Sequence, residues 1–257
     1  MEKEFAVIAS RQNTASMNIS SFLEGNLPQN MALHFFDKHI CFIDEADSVG
    51  ADAIIFASSH TSASGKPTLS THCIGNWDKA DLGGRDRTLV PTNSFLLKNY
   101  LNALQKKRDE LGLAYEVTAE VTHHGPSLTR PTAFIELGSG EKQWKDKVAA
   151  NAVADAIISN TSMEGNYKSA IALGGGHYCP EFTKVILRTG YALGHICPGY
   201  ALSHLDNEML DKALQATLPK PEAIILDWKG LGKEKARIKE LLEGHELPIL
   251  RARKLLH

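Results

Sequence analysis

The segment Ser169-Ala170-Ile171-Ala172-Leu173-Gly174-Gly175-Gly176-His177-Tyr178-Cys179-Pro180, continuing to Gly190 and then Tyr191-Ala192-Leu193-Gly194-His195-Ile196, decides the fold. Ser169–Leu173 is an apolar run of strand length, and the glycines that follow break it. Pro180 suits the first turn of a helix. Phe182, Val185 and Ile186 then fall at helical spacing, and Gly190 can end the helix. Tyr191–Ile196 is again strand-like. Strand, glycine turn, helix and strand in this order argue for an α/β fold with a largely parallel sheet.

The alternation extends outward in both directions. Further strands are expected at Phe5–Ala9, Ala32–Phe36, Ala53–Ser58, Tyr115–Thr122, Ala133–Leu137, Ala223–Leu226 and Leu247–Leu250. Thr14 can cap a helix reaching Leu23, and Thr92-Asn93-Ser94 can cap one through Lys107 with Leu97, Leu101 and Leu104 on one face. Glu141–Ile158 places Trp144, Val148, Ala152 and Ala156 at helical spacing. Ser203 with Asp206 forms a capping-box pattern before Met209, Ala213 and Leu214, and a last helix covers Lys233 to Glu243. The expected architecture is α/β, a mostly parallel or mixed central sheet with helices on both faces, in a single domain spanning residues 1–257. Residues 61–92, rich in Gly, Ser, Thr and Asp, have no periodicity and read as a functional loop.

Composition narrows the function classes. With 257 residues, 43% hydrophobic and 23% charged, the chain is ordinary for a globular protein with a full core. A net charge of −2 argues against a non-specific DNA or RNA binder, whose affinity comes from neutralising phosphates. No apolar run is long enough for a transmembrane helix. Met1-Glu2-Lys3-Glu4 leads straight into Phe5–Ser10 and lacks the flank and apolar stretch of a signal peptide. Cys41, Cys73, Cys179 and Cys197 are widely spaced, which suits reduced thiols and a cytoplasmic location.

The chemistry gathers at strand ends, where open α/β sheets collect ligands. Ala53–His60 ends in His60, Glu116–His124 in His123-His124, and Ala170–His177 in His177, while Tyr191–Tyr200 carries His195. Imidazole is the commonest metal ligand and the side chain best placed to move protons near neutral pH. With Glu136 and the loop residue His72, these positions supply more than the three His or carboxylate ligands that a hydrolytic zinc site needs. Their spacing does not say which of them bind. Gly174, Gly175 and Gly176 would let the backbone approach a substrate, and the helix after Pro180 would favour an anion. The loop is neither a Walker loop nor a dinucleotide fingerprint. Ser58, Ser59, Ser62 and Ser64 have no nucleophile elbow around them. Of two basic clusters, Lys98, Lys106, Lys107 and Arg108 on one helix are the better phosphate contacts, since acidic residues interrupt Lys229–Lys239.

Four blocks carry a resemblance. His60-Thr61-Ser62-Ala63-Ser64-Gly65-Lys66-Pro67-Thr68-Leu69-Ser70-Thr71-His72-Cys73-Ile74-Gly75-Asn76 resembles a hallmark stretch of the archaeal and plant D-aminoacyl-tRNA deacylases. So do Val121-Thr122-His123-His124-Gly125-Pro126, the run Pro131–Ser139 with Trp144, and Gly174–Pro180, in family order along residues 5 to 255. The resemblance implies a zinc hydrolase holding two ions, acting on D-aminoacyl-tRNA, with an architecture like peptidyl-tRNA hydrolases and nucleoside phosphorylases. It places the motif histidines on His60, His72, His123, His124 and His177 and the motif carboxylate on Glu136. In that scheme His60, His72, His123 and His177 hold metal, and His124 or Glu136 serves as base. Thr61 and Gly174–Gly176 meet the substrate, and a zinc-activated water attacks the ester. No DNA or membrane partner is expected, and a monomer is favoured. The rival readings are a zinc aminopeptidase or amidohydrolase acting on small molecules, and a non-catalytic tRNA-binding protein with structural histidines.

Overall fold

The computed structural model describes residues 4–256, so Met1–Lys3 of the N-terminal reading lie outside the described residues. In chain order the main elements are β1 (Phe5–Ser10), α1 (Thr14–Leu23), β2 (Met31–Phe36), β3 (Ala53–Thr61) and β4 (Thr68–His72). There follow α2 (Ser94–Glu110), β5 (Glu116–Ala119), β6 (Thr132–Ser139), α3 (Lys147–Ile158), β7 (Lys168–Leu173) and α4 (Pro180–Arg188). The last are β8 (Tyr191–Cys197), α5 (Asn207–Ala216), β9 (Ala223–Leu226), α6 (Lys235–Leu241) and β10 (Ile249–Arg251).

The strands form two sheets, ordered β2-β1-β3-β6-β4-β5 and β8-β7-β9-β10. Every neighbouring pair in them is parallel except β4 against β6. The expected parallel α/β sheet is therefore present, as a larger mixed part and a smaller parallel part. One apolar cluster joins them: Val7, Ile55, Ile135 and Leu137 of the large sheet and Ala170, Ala172 and Ile225 of the small one enclose Leu101 and Leu104 of α2. The alanine-rich face of α3 (Ala149, Ala150, Ala154, Ala156) completes that cluster against Ile19 and Leu23 of α1. Each fully buried leucine there contributes roughly 1.5–3 kcal/mol by leaving water.

Several boundaries differ from expectation for physical reasons. Asn13, rather than Thr14, caps α1, accepting from Ser16 N. Asp146 accepts from Val148 N and Ala149 N, which starts α3 there and splits the expected 141–158 helix after a short turn at Glu141–Trp144. Asp206 caps α5 by accepting from Met209 N, because Ser203 is held in a 3-10 turn, Leu202–His204. Strand β4 lies inside the stretch read as loop, and all five of its residues are buried. Its polar side chains hide it from an apolar-periodicity reading, yet they bond within the sheet: Thr71 Oγ1 donates to Phe134 O at 2.7 Å.

Helices cover both faces of the small sheet but only one face of the large one. The second face of the small sheet packs Ile171, Leu173, Ile224 and Leu226 on Met209 and Leu210 of α5 and Ile238 of α6. The second face of the large sheet places Ile8, Ile54, Phe56 and Phe134 under the 3-10 turns at 40–49, through Ile40, Cys41, Ile43 and Ala46. The expected mixed α/β architecture is present, with 3-10 turns as the cover on that one face. On this helix-free face the strand period of two carries Ile54 and Phe56 onward to Ser58 and His60, and Phe134 to Glu136.

Candidate active site

Because β4 runs against β6, two strand directions converge on one carboxylate. Glu136 pairs in register with Ser58 of β3 and Ser70 of β4. His60 stands two residues beyond Ser58, and His72 two residues beyond Ser70. Past β5 the chain continues as Glu120-Val121-Thr122-His123-His124, fixed by Glu120 N to Thr71 O (3.1 Å) and Val121 N to His177 O (3.0 Å). That last bond ties the glycine turn of the small sheet to the large sheet's histidine pair.

Five imidazoles and two carboxylates therefore meet. His60 Nδ1 lies 3.2 Å from Glu120 Oε1 and 3.6 Å from Glu136 Oε2, and His72 Nε2 lies 3.6 Å from Glu136 Oε2. Glu120 Oε2 accepts from His177 Nε2 at 2.9 Å and lies 3.8 Å from His123 Nε2. The His72 ring centre is 4.3 Å from that of His123 and 5.0 Å from that of His124. Tyr178 Oη bonds His60 Nε2 at 2.8 Å, and Trp144 Nε1 donates to the His60 carbonyl at 2.9 Å.

Three of the histidines have their tautomer set by the backbone. His72, His123 and His124 donate Nδ1–H to the carbonyls of Cys73, Val121 and Gly125, at 3.1, 2.8 and 2.6 Å. Each Nε2 is left free to face the others, the arrangement by which metal-ligating histidines are oriented. His72 Nε2 is buried without a hydrogen-bond partner, as is Glu120 Oε1. Donor atoms lie within 4.8 Å of one another in three sets: His72, His123 and His124; His60, Glu120 and His177; His72, Glu120 and Glu136. Imidazole with carboxylate is a donor set that zinc accepts, so these residues fit a divalent cation.

The electrostatics agree with a site built for positive charge. Burial alone would raise the Glu120 and Glu136 carboxyls, but the hydrogen bond from His177 and the adjacent His60 imidazole hold Glu120 well below its usual range, and the adjacent imidazoles of His60 and His72 hold Glu136 down. Burial opposes a charged His60, yet Glu120 and Glu136 outweigh it and push its pKa up to about 11. His72 is raised in the same way, burial being outweighed chiefly by Glu136. Burial and the neighbouring His72 keep His123 well below its ordinary value and His124 near about 4, so both stay neutral with a lone pair available.

A cavity of about 290 Å³ opens beside Glu136, lined by Asn13, Ser59, His60, Thr61, His124 and His177 among others. A second, of about 380 Å³, adjoins His123 and His124 and is walled by Trp77, Tyr200 and His204. Thr61 is exposed at the rim of the first. Gly174 N donates to Cys197 O at 2.8 Å, and a Cβ on Gly230 would stand 2.1 Å from Gly175 N. Gly174 and Gly175 therefore close the turn against residues 227–231, and only Gly176 has open space beside it.

Two sequence readings are corrected. His195 does not reach the cluster: it is wholly buried, with Nε2–H bonded to Val90 O at 3.0 Å and Nδ1 to the Thr122 hydroxyl at 3.1 Å. Lys98 cannot meet a phosphate, because it is buried and its ammonium donates to the carbonyls of Ile186, Thr189 and Tyr191. Lys106, Lys107 and Arg108 are at the surface but paired, with Glu110, with Glu110 and Asp155, and with Asp109. Glu120 is the residue that sequence reasoning missed. Its signal was a carboxylate near the end of the apolar run Tyr115–Thr122, three residues before the histidine pair.

Fold and site together define an α/β protein whose buried His/carboxylate centre is suited to a divalent cation and to proton transfer. The sequence profile of the D-aminoacyl-tRNA deacylase family matches residues 48–250. A D-aminoacyl-tRNA deacylase of Cenarchaeum symbiosum is 35% identical over 258 residues, covering 96% of this chain and 99% of that protein. One from Pyrococcus furiosus is 36% identical, covering 84% and 79%. The crystal structure of a conserved protein of unknown function, AF0625, superposes with a TM-score of 0.90 at 31% identity, over 99% of this chain and 97% of that one. The chain belongs to the D-aminoacyl-tRNA deacylase family.

Proposed function

We propose that this protein hydrolyses the ester joining a D-amino acid to the terminal ribose of tRNA. The observation that carries the reading is the convergence of five histidines on two buried carboxylates beside an open cavity, in a chain of this family. His60, His72, His123 and His177, with Glu120 added from the structure, would hold zinc. The donor sets centred on His72 and on Glu120 support a reading with two ions. When bound, zinc would supply Lewis-acid polarisation and an acidified water.

The chain's own residues divide the remaining work. His124, neutral and with Nε2 directed to the cluster, or the Glu136 carboxylate, accepts the proton that the attacking water gives up. The open amide edge at Gly176 and the rim residue Thr61 orient the aminoacyl group. Two cavities flank His123 and His124, one for each half of an ester, and the shape of the Asn13–Thr61 side rejects the L-enantiomer by clash. The apolar cluster common to both sheets supports one domain over the described residues. Four buried free cysteines suit the cytoplasm, and no helix among the described residues is long and apolar enough to cross a membrane.

The test is hydrolysis of matched D- and L-tyrosyl-tRNA before and after chelation, with zinc added back. We expect the D-ester alone to be cleaved, with cleavage lost on chelation and restored by zinc. Cleavage that survives complete metal removal overturns the metal part, and cleavage of neither ester overturns the function.

A further inference from the structure

The net charge of −2 conceals an uneven distribution: residues 227–256 hold eight lysines and arginines against five aspartates and glutamates. The indole of Trp228 sits among them, with the Arg251 guanidinium 3.9 Å and the Lys235 ammonium 5.1 Å from its ring centre. Trp228, Lys239, Glu243, Ile249 and Arg251 border a cavity of about 330 Å³. Among the described residues, ion pairs occupy only two of the eight cations of this segment. Glu234 is engaged by Arg237, and Arg253 meets Glu181. Among the described residues, no ion pair reaches Lys229, Lys233, Lys235, Lys239, Arg251 or Lys254, whereas Lys106, Lys107 and Arg108 on α2 all have partners.

This surface adjoins the candidate active site. Arg251 pairs in register with Leu226 at the ends of β9 and β10. The turn after β9 lies directly on the glycine turn that delivers His177: Asp227 N donates to Leu173 O at 3.0 Å, and Gly230 packs on Gly175. Gly199, next to the exposed Tyr200 of the second cavity, donates to Gly175 O at 2.8 Å.

We propose that the surface centred on Trp228 and Arg251 holds the phosphate backbone of the tRNA acceptor stem and leads its aminoacylated end across Gly174–Gly176 to the histidine cluster. The inference rests on the tRNA substrate proposed above. Unpaired cations bind phosphate without first breaking an ion pair, and each contact releases counterions from the nucleic acid. The planar guanidinium of Arg251 is held in one orientation by the indole beneath it, which suits bidentate phosphate contact.

The experiment uses the full-length protein and uncharged tRNA, titrated by fluorescence at several salt concentrations. Lys229→Ala/Lys233→Ala/Lys239→Ala alters only exposed side chains, Arg251→Ala tests the stacked cation, and Lys106→Ala/Lys107→Ala is the control. We expect the triple variant to weaken Kd by roughly tenfold or more at low salt and to lower the salt slope by about one per lost contact. The control should stay within about twofold of wild type, as expected for paired surface charges. With D-tyrosyl-tRNA, KM should rise while kcat holds, and a D-tyrosyl ester of adenosine alone should be cleaved as by wild type. A triple variant with wild-type Kd and salt slope overturns the proposal, as does a wild-type protein that does not bind tRNA. Patch-dependent tRNA binding without ester cleavage would uphold the surface and reject the deacylase reading.

Discussion

The two faces of the six-stranded sheet are made by the same strands and differ in everything else. One face, Val7, Ile55, Ile135 and Leu137, is closed by α1, α2 and α3 into a dry apolar layer. The other begins the same way, with Ile8, Ile54, Phe56 and Phe134, then turns to Ser58, His60, Ser70, His72 and Glu136 where the cover changes from helices to short turns and cavities. Alternation along a strand thus places a stability face and a chemistry face on opposite sides of one backbone. A substitution one residue along a strand should therefore change which property fails.

The sharpest break of that comparison is at His72. His72→Ala removes the unpartnered Nε2 at the centre of two donor sets, and we expect bound zinc measured by mass spectrometry to fall with at least about a hundredfold loss of deacylation. Unchanged metal content and rate would show that the polar face is structural. On the opposite face, Leu101→Ala should cost about 2–5 kcal/mol in urea unfolding while the remaining folded enzyme keeps its kcat. A comparable loss of kcat in that variant would mean that the faces are not separable.

His195 sharpens the comparison, because it is a buried histidine outside the cluster. Burial lowers its pKa to about 4 in the folded protein, below the ordinary value of 6.5, so in the unfolded chain it takes up its proton first. Its contribution is present in full above 6.5 and is lost as pH falls toward 4. At about 1.4 kcal/mol per pH unit this amounts to roughly 3 kcal/mol across the window. Unfolding curves at pH 7 and pH 5 should show a steeper acid loss for wild type than for His195→Gln, and equal losses would contradict the assignment. The smallest effect belongs to Asn93, whose side chain accepts from Leu96 N to cap α2. Asn93→Ala should cost about 1 kcal/mol in unfolding and leave deacylation unchanged.

What could be read from the sequence follows the same division. The strand, helix and strand around Gly174–Gly190 were legible because apolar period and glycine punctuation coincide there, and α4 begins at Pro180 as expected. Strand β4 was not, because its polar side chains bond inside the sheet and leave no alternation to find. The site histidines of the family blocks meet in space, but Glu120 lay within an expected strand and only the antiparallel approach of β4 and β5 to β6 exposes its place between His60, His123 and His177. His195 ends in the core because Val90 and Thr122 satisfy both its nitrogens, a pairing between residues distant in sequence. Lys98 looks solvent-exposed on a helical wheel, yet three carbonyls around the start of β8 draw its ammonium inside.

The most direct test of the account is Glu120→Gln, which keeps the shape of the side chain and removes the charge shared by His60, His123 and His177. Single-turnover cleavage of D-tyrosyl-tRNA should fall by at least about a hundredfold, with bound zinc reduced and the fold retained by circular dichroism. A folded Glu120→Gln protein that cleaves the D-ester at the wild-type rate would contradict the claim that this buried carboxylate organises the active site.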